Sequence, residues 1–325
     1  MRPETLFEIA RRNGEALPAA SVDELSKLYE YRDFAHFIEI WILTTNALRE
    51  RDDFRRVVVD YAAEAAGFGA VYLEAIFSPA ERVRRGVDWD ELFAGYCDGA
   101  AEARELHGVD VRLTPDIFRG ASEDEARAVV RYSAKYRDRG VVAVGLGGLE
   151  ADFPPELYRP AFDLVHAEGL GSVPHAGEVA GPKSIRGALD ALGADRIRHG
   201  IRAVDEPALV DELRDRGIVL DVCPISNVRT GAVRSLEEHP LRELAAAGVR
   251  CSINTDDPAM FDTDLEREHR AAESLGVDGR AAYEAGVAGA LCDEDTRERL
   301  RRIGEEFDWR SLPYEAHGTF GPETQ

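Results

Sequence analysis

Short apolar runs alternate with amphipathic helical stretches through most of this chain, and that alternation constrains its fold more than any other feature. Seven runs read as strands: Ala70 to Phe77, Val109 to Ile117, Val141 to Leu146, Leu170 to His175, Arg196 to His199, Ile218 to Cys223 and Val249 to Thr255. Helical patterns lie between them, among them Trp89 to Leu106, Glu123 to Tyr136, Pro155 to Glu168 and Pro207 to Arg216. Parallel strands need a crossover of helix length, so this order implies a parallel sheet. Upstream, Arg2 to Arg12, Ser21 to Tyr29, Asp33 to Leu48 and Asp52 to Ala65 repeat apolar residues at helical spacing, with Ser21 and Asp52 placed as caps. Thr296 to Trp309 reads as a last helix. We expect one α/β domain over residues 1–312 and a loose, Gly- and Pro-containing tail over 313–325. With 325 residues, 44% of them hydrophobic, the chain can build one barrel-sized core.

Three of the runs end in residues that can do chemistry. Gly169-Leu170-Gly171-Ser172-Val173-Pro174 leads into His175-Ala176-Gly177-Glu178. Arg196-Ile197-Arg198 leads into His199-Gly200, and Cys251-Ser252-Ile253 into Asn254-Thr255-Asp256-Asp257-Pro258. α/β enzymes place catalytic groups at the carboxyl ends of strands. Each ending also has a plain reading. A lone histidine is more often structural than functional, and Asp followed by Pro is a common helix start. Together, however, they offer imidazole, imidazole and carboxylate on successive strand ends. Those are ligand types that zinc takes beside an open water position. Glu178, in a Gly-containing turn, suits a proton donor.

Composition narrows the class. The formal charge of −22 repels nucleic acid and anionic membrane, so neither is expected as a partner. Cys97, Cys223, Cys251 and Cys292 show no CxxC spacing, which argues for a reducing compartment and against disulfides or a thiolate zinc site. No apolar run is long enough to span a bilayer and no signal peptide is visible, so a cytoplasmic enzyme is expected.

The motifs HAGE at 175–178, RHG at 198–200, CPISN at 223–227 and TDDP at 255–258 resemble, in order and spacing, those of the adenosine deaminase family of the amidohydrolase superfamily. Arg2-Pro3-Glu4-Thr5-Leu6 and Glu74-Ala75-Ile76-Phe77-Ser78-Pro79 extend the match over nearly the whole chain. The resemblance implies a (β/α)8 barrel of the TIM type, one zinc ion, and hydrolytic removal of an amino group from a 6-aminopurine nucleoside. It implies His175 and Asp256 as metal ligands and Glu178 as the acid that protonates ring nitrogen N1. It also implies that His199 orients the attacking water and helps to deprotonate it, that Asp257 bonds N7, and that the Gly148 N–H bonds N3. Chemistry asks for these types. Attack at C6 breaks aromaticity, so N1 must gain a proton as the new bond forms. The other zinc deaminase class uses cysteine ligands with an HxE…PCxxC signature, which is absent here.

One departure stands out. The family begins with a strand carrying His-x-His, two further metal ligands, shortly before the segment matching Arg2 to Leu6. Met1 directly precedes Arg2, and no other HxH occurs. The expectation is a truncated record. As written, the chain should show seven strands, leave two sheet edges open and bind zinc weakly. A chain genuinely without that strand would instead be a non-catalytic purine-binding protein.

For the substrate, Phe34-Ala35-His36-Phe37, Val222 to Gly231 and Ala259 to Leu265 resemble the branch that deaminates 6-amino-6-deoxyfutalosine, an intermediate on the futalosine route to menaquinone. Adenosine or adenine is the alternative. The futalosine compound is an adenosine carrying a benzoate on its 5′ side, and a buried carboxylate needs a partner. Arg229 is the first candidate, with Arg119 and Arg234 behind it.

Overall fold

The computed structural model describes residues 1–309, so the tail expected over 313–325 lies outside the described residues. Eight short strands form its centre: β1 (Tyr72–Phe77), β2 (Asp110–Phe118), β3 (Ala143–Gly147), β4 (Gly171–Ser172), β5 (His175–Ala176), β6 (Arg196–His199), β7 (Val219–Val222) and β8 (Arg250–Ile253). They pair in sequence order as two parallel four-stranded sheets, β1 to β4 and β5 to β8. β4 and β5 are two halves of one pass, separated at Pro174, which has no N–H for the ladder. The pass is continuous all the same. Val173 N donates to Val144 O at 3.0 Å, and Arg198 N donates to Pro174 O at 3.0 Å. Eight strands thus make seven passes, one for each apolar run in the sequence.

The wall curves as a barrel does, and ion pairs across its interior record the curvature. Arg196 on β6 reaches Glu74 on β1 at 2.7 Å and Asp221 on β7 at 2.6 Å. Arg198, also on β6, bonds Thr114 on β2 at 2.6 Å and pairs with Asp116 at 2.5 Å. These charges are almost fully buried, and such groups persist in an interior only when paired. Among the described residues β1 pairs only with β2 and β8 only with β7, so the two expected open edges are present. The seam between them opens into a cavity of about 990 Å³.

Helices cover the wall. Arg51–Gly67 and Trp89–His107 lie close together because Gly99 has no side chain; a Cβ there would come 2.5 Å from the Arg55 carbonyl. Ser21 caps the helix Val22–Lys27 as expected. Asp52 does not cap the next long helix. Glu50 occupies the N-cap, in a capping box with Asp53, and Asp52 falls inside the first turn. The stretch expected as one helix from Pro155 begins as a 3-10 turn, Pro155–Tyr158, before the α-helix Arg159–Ala167. Phe34–Thr45, capped by Asp33, packs over the carboxyl end of the barrel through Phe37 and Phe261.

Candidate active site

His175 ends the fourth pass. Its Nδ1 lies 3.0 Å from the Leu146 carbonyl and 3.3 Å from Asp116, both acceptors, so the proton sits on Nδ1 and the Nε2 lone pair is free. Asp116 holds that orientation while Arg198 neutralises it on its other side. The turn that follows is pinned by a residue the sequence reading missed. The buried Glu150 carboxylate accepts backbone N–H bonds from Gly177, Glu178, Val179 and Ala180. Burial pushes Glu150 up, but these bonds outweigh it and hold the group ionised below the usual range. Glu178 itself is buried without a cation beside it. Desolvation, then the charges of Asp256 and Glu150, push its pKa well above the ordinary carboxylate value.

His199 ends β6 with φ at 63°, in the left-handed region that costs energy for a side chain with a Cβ. The strain sits where it aims the ring. Nε2 lies 3.6 Å from Glu178 and 3.9 Å from Asp256. Burial, and then His175, keep the ring neutral. Its tautomer follows from a one-way chain of hydrogen bonds. The Leu241 backbone N–H can only donate, and it donates to His239 Nδ1 at 3.0 Å. His239, pushed down to about 4 by burial and Arg202, is therefore neutral with its proton on Nε2. That proton meets Asn227 Oδ1 at 3.2 Å, which turns the Asn227 amide to donate to His199 Nδ1 at 3.0 Å. His199 thus carries its proton on Nε2, facing the cavity. The orienting part of its expected role fits this tautomer. The deprotonating part requires that proton to move first.

Asp256 follows β8 with φ at 54° and accepts a 2.7 Å hydrogen bond from Ser226. Asp257 occupies the N-cap position of the short helix Pro258–Phe261 yet makes no side-chain cap bond. The helix-start reading was right about position, and the carboxylate is free for the cavity. Burial and Asp256 push Asp257 up to about 7. It can therefore hold a proton to share with a ring nitrogen. Gly148, with φ at 104°, lines the opposite wall, and a Cβ there would crowd the Phe118 ring at 3.1 Å.

The structure brings His175, Glu178, His199, Asp256, Asp257 and Gly148 to one cavity. It does not bring Arg229 there. That residue ends the helix Pro224–Arg229, is exposed, and donates to the Phe261 carbonyl at 3.1 Å. Arg119 is buried as a strut, donating to the His175 carbonyl at 2.7 Å, and Arg234 is exposed beside Glu238.

The sequence profile of the family described as Adenosine deaminase matches residues 1–304. The chain belongs to the adenosine deaminase family. An aminodeoxyfutalosine deaminase of Acidothermus cellulolyticus is 54% identical over 316 residues, covering 95% of this chain and 89% of that protein. Among solved structures, an adenine deaminase from Arthrobacter aurescens superposes with a TM-score of 0.89 at 28% identity, over 94% of each chain. An amidohydrolase from Burkholderia ambifaria with bound zinc superposes at 0.85, also 28% identical, over 94% of this chain and 86% of that one. The barrel fold and the hydrolytic deaminase chemistry of the adenosine deaminase family are thus those of this chain.

For a member of this family the metal question turns on donors. His175 Nε2 is free, and Asp256, held by Ser226 through Oδ2, keeps its other oxygen for a metal; both are types that zinc accepts. His199, Cys223 and Asp256 also bring ligand atoms within 4.8 Å of one another. His199, however, presents a proton in the tautomer its neighbours set, and burial keeps the Cys223 thiol protonated. The donors fit a divalent metal in kind, and His175 and Asp256 supply two of the three or four protein donors such a site usually takes.

Proposed function

We propose that the protein is a zinc-dependent deaminase of 6-amino-6-deoxyfutalosine in menaquinone biosynthesis. A buried Glu178, its pKa raised by desolvation, stands 3.6 Å from a histidine whose N–H faces the same cavity, and this pair carries the reading. His175 and Asp256 would hold the metal. Zinc, when bound, would lower the pKa of water enough to make a nucleophile near neutral pH. The chain's own residues do the rest. Asp257, with a proton to share, and the Gly148 N–H hold the purine by its ring nitrogens. His199 donates from Nε2 to the water oxygen and aims it at C6. As the C6–O bond forms, Glu178 gives its proton to N1 and becomes the nearest carboxylate to take one back from the water. That proton passes to the amino group, the C6–N bond breaks and ammonia leaves, and the remaining C6–OH proton returns to Glu178, which restores the acid and leaves a 6-oxopurine. A positioned acid of this kind typically contributes about 10²–10⁴-fold in rate.

The 54% identity to an aminodeoxyfutalosine deaminase supports the substrate. The test is kcat/KM for aminodeoxyfutalosine, adenosine, adenine and AMP with zinc present. Preference for the first is expected. Faster turnover of adenosine or adenine would move the assignment to the alternative reading.

A further inference from the structure

Most arginines of this chain meet a carboxylate at the surface. Arg82 does not. It lies in the short helix Ala80–Arg84, directly after β1, and is 3% exposed. Its Nε and Nη2 have no hydrogen-bond partner among the described residues. The carboxylate nearest to it, Glu81, stands 4.0 Å away and is already engaged by the Ser78 hydroxyl at 2.9 Å. A buried cation with idle donors is costly to fold around, because desolvation is not repaid by pairing. Such a group is accounted for when a bound anion completes it.

Its surroundings name the anion. The guanidinium carbon lies 5.2 Å from the centroid of the Trp41 ring, and Trp41 stacks on Phe118 with centroids 6.5 Å apart and planes 10° from parallel. Trp41 also lines the cavity that holds Asp257, the residue read above as the purine's N7 partner. Arg82, Trp41, Phe118 and Asp257 line one cavity. The indole under the idle guanidinium thus belongs to the same cavity wall as the purine end. A ligand bound through its aminopurine and extended past Trp41 meets an aromatic wall and then a planar cation. An aryl carboxylate matches both, since the guanidinium fork takes carboxylate oxygens and the rings take an aryl face.

We infer that Arg82, not Arg229, receives the carboxylate of the substrate's 5′ benzoate. The inference rests on the substrate reading above.

The test compares wild-type, Arg82→Met and Arg82→Lys holoenzymes on aminodeoxyfutalosine, its carboxamide analogue and adenosine, with Tm recorded for each. Arg82→Met should lower kcat/KM for the carboxylate substrate on the order of 10–150-fold, mostly through KM, given the usual worth of a charge-assisted bond. Adenosine and the carboxamide should be nearly unchanged, and Arg82→Lys should recover part of the loss. Tm should hold or rise in Arg82→Met, because an apolar chain replaces an unpaired buried cation. An equal loss on all three substrates, or a clear fall in Tm, would make Arg82 structural and overturn the inference. So would an unchanged preference in Arg82→Met, with the substrate reading left standing. A wild-type enzyme that prefers adenosine would remove the substrate reading and this inference together.

Discussion

The half of the barrel built on β5 to β8 and the half built on β1 to β4 enclose one cavity but are constructed differently. The first supplies Asp257 and also His175, Glu178, His199 and Asp256, which are held by neighbours that leave them little freedom. Glu150 fixes the turn of Glu178, Asn227 fixes the ring of His199, and Ser226 holds Asp256. Among the described residues the three non-glycine residues with positive φ, His199, Asp256 and Asp262, all lie in this half, and two of them are site residues. The β1 to β4 half, with the helix Phe34–Thr45 over it, supplies an aromatic wall, Gly148 and an unpartnered Arg82. The difference separates two tasks. Chemistry is built from satisfied networks, and recognition is built from groups left open for a ligand.

Substitutions can break that division. The largest effect should come from Glu178→Gln. It removes the proton for N1 and should cost about 10²–10⁴-fold in kcat on every aminopurine tested, with zinc content unchanged. More than a few per cent of wild-type turnover would take Glu178 out of the acid's role. Asn227→Leu should come next, at about 10–100-fold in kcat with KM little changed, the usual range for losing a partner that orients an active group. Its distinguishing readout is ¹⁵N NMR of the His199 ring. The wild type should show a protonated Nε2, and the variant a mixture of tautomers. A mixture already present in the wild type would remove the hydrogen-bond chain from the account. Smallest is Arg229→Ala. An exposed guanidinium that donates to a carbonyl should change neither the adenosine nor the aminodeoxyfutalosine value by more than about twofold. A selective loss on the latter would restore Arg229 as the carboxylate's partner.

The seven apolar runs were legible because buried strands leave a continuous signal, and all seven became passes of the wall. The strand-end groups were legible because the resemblance tied them to motifs, and the barrel brings them together as that order implies. Other residues carried no local signal. Glu150 is one acid among many in sequence, and only the fold lays its carboxylate under four backbone N–H groups. His239 follows a loop and reads as a lone histidine; its link to His199 runs through Asn227, on a different element. Arg82 sits in Glu81-Arg82-Val83-Arg84-Arg85, which reads as a solvated helix face, yet the Arg82 side chain turns inward under Trp41. Arg229 shows the converse. Its place after the CPISN motif suggested the rim, but the one-turn helix between carries it to the outside.

The division of labour is tested most directly by ligand binding to Glu178→Gln holoenzyme, which should not turn over. Calorimetric titration with aminodeoxyfutalosine and with adenosine reads recognition alone. The account predicts that the variant still binds the carboxylate-bearing nucleoside more tightly, by about the same factor as Arg82→Met loses. Equal affinity for the two nucleosides, or preference lost along with turnover, would contradict it.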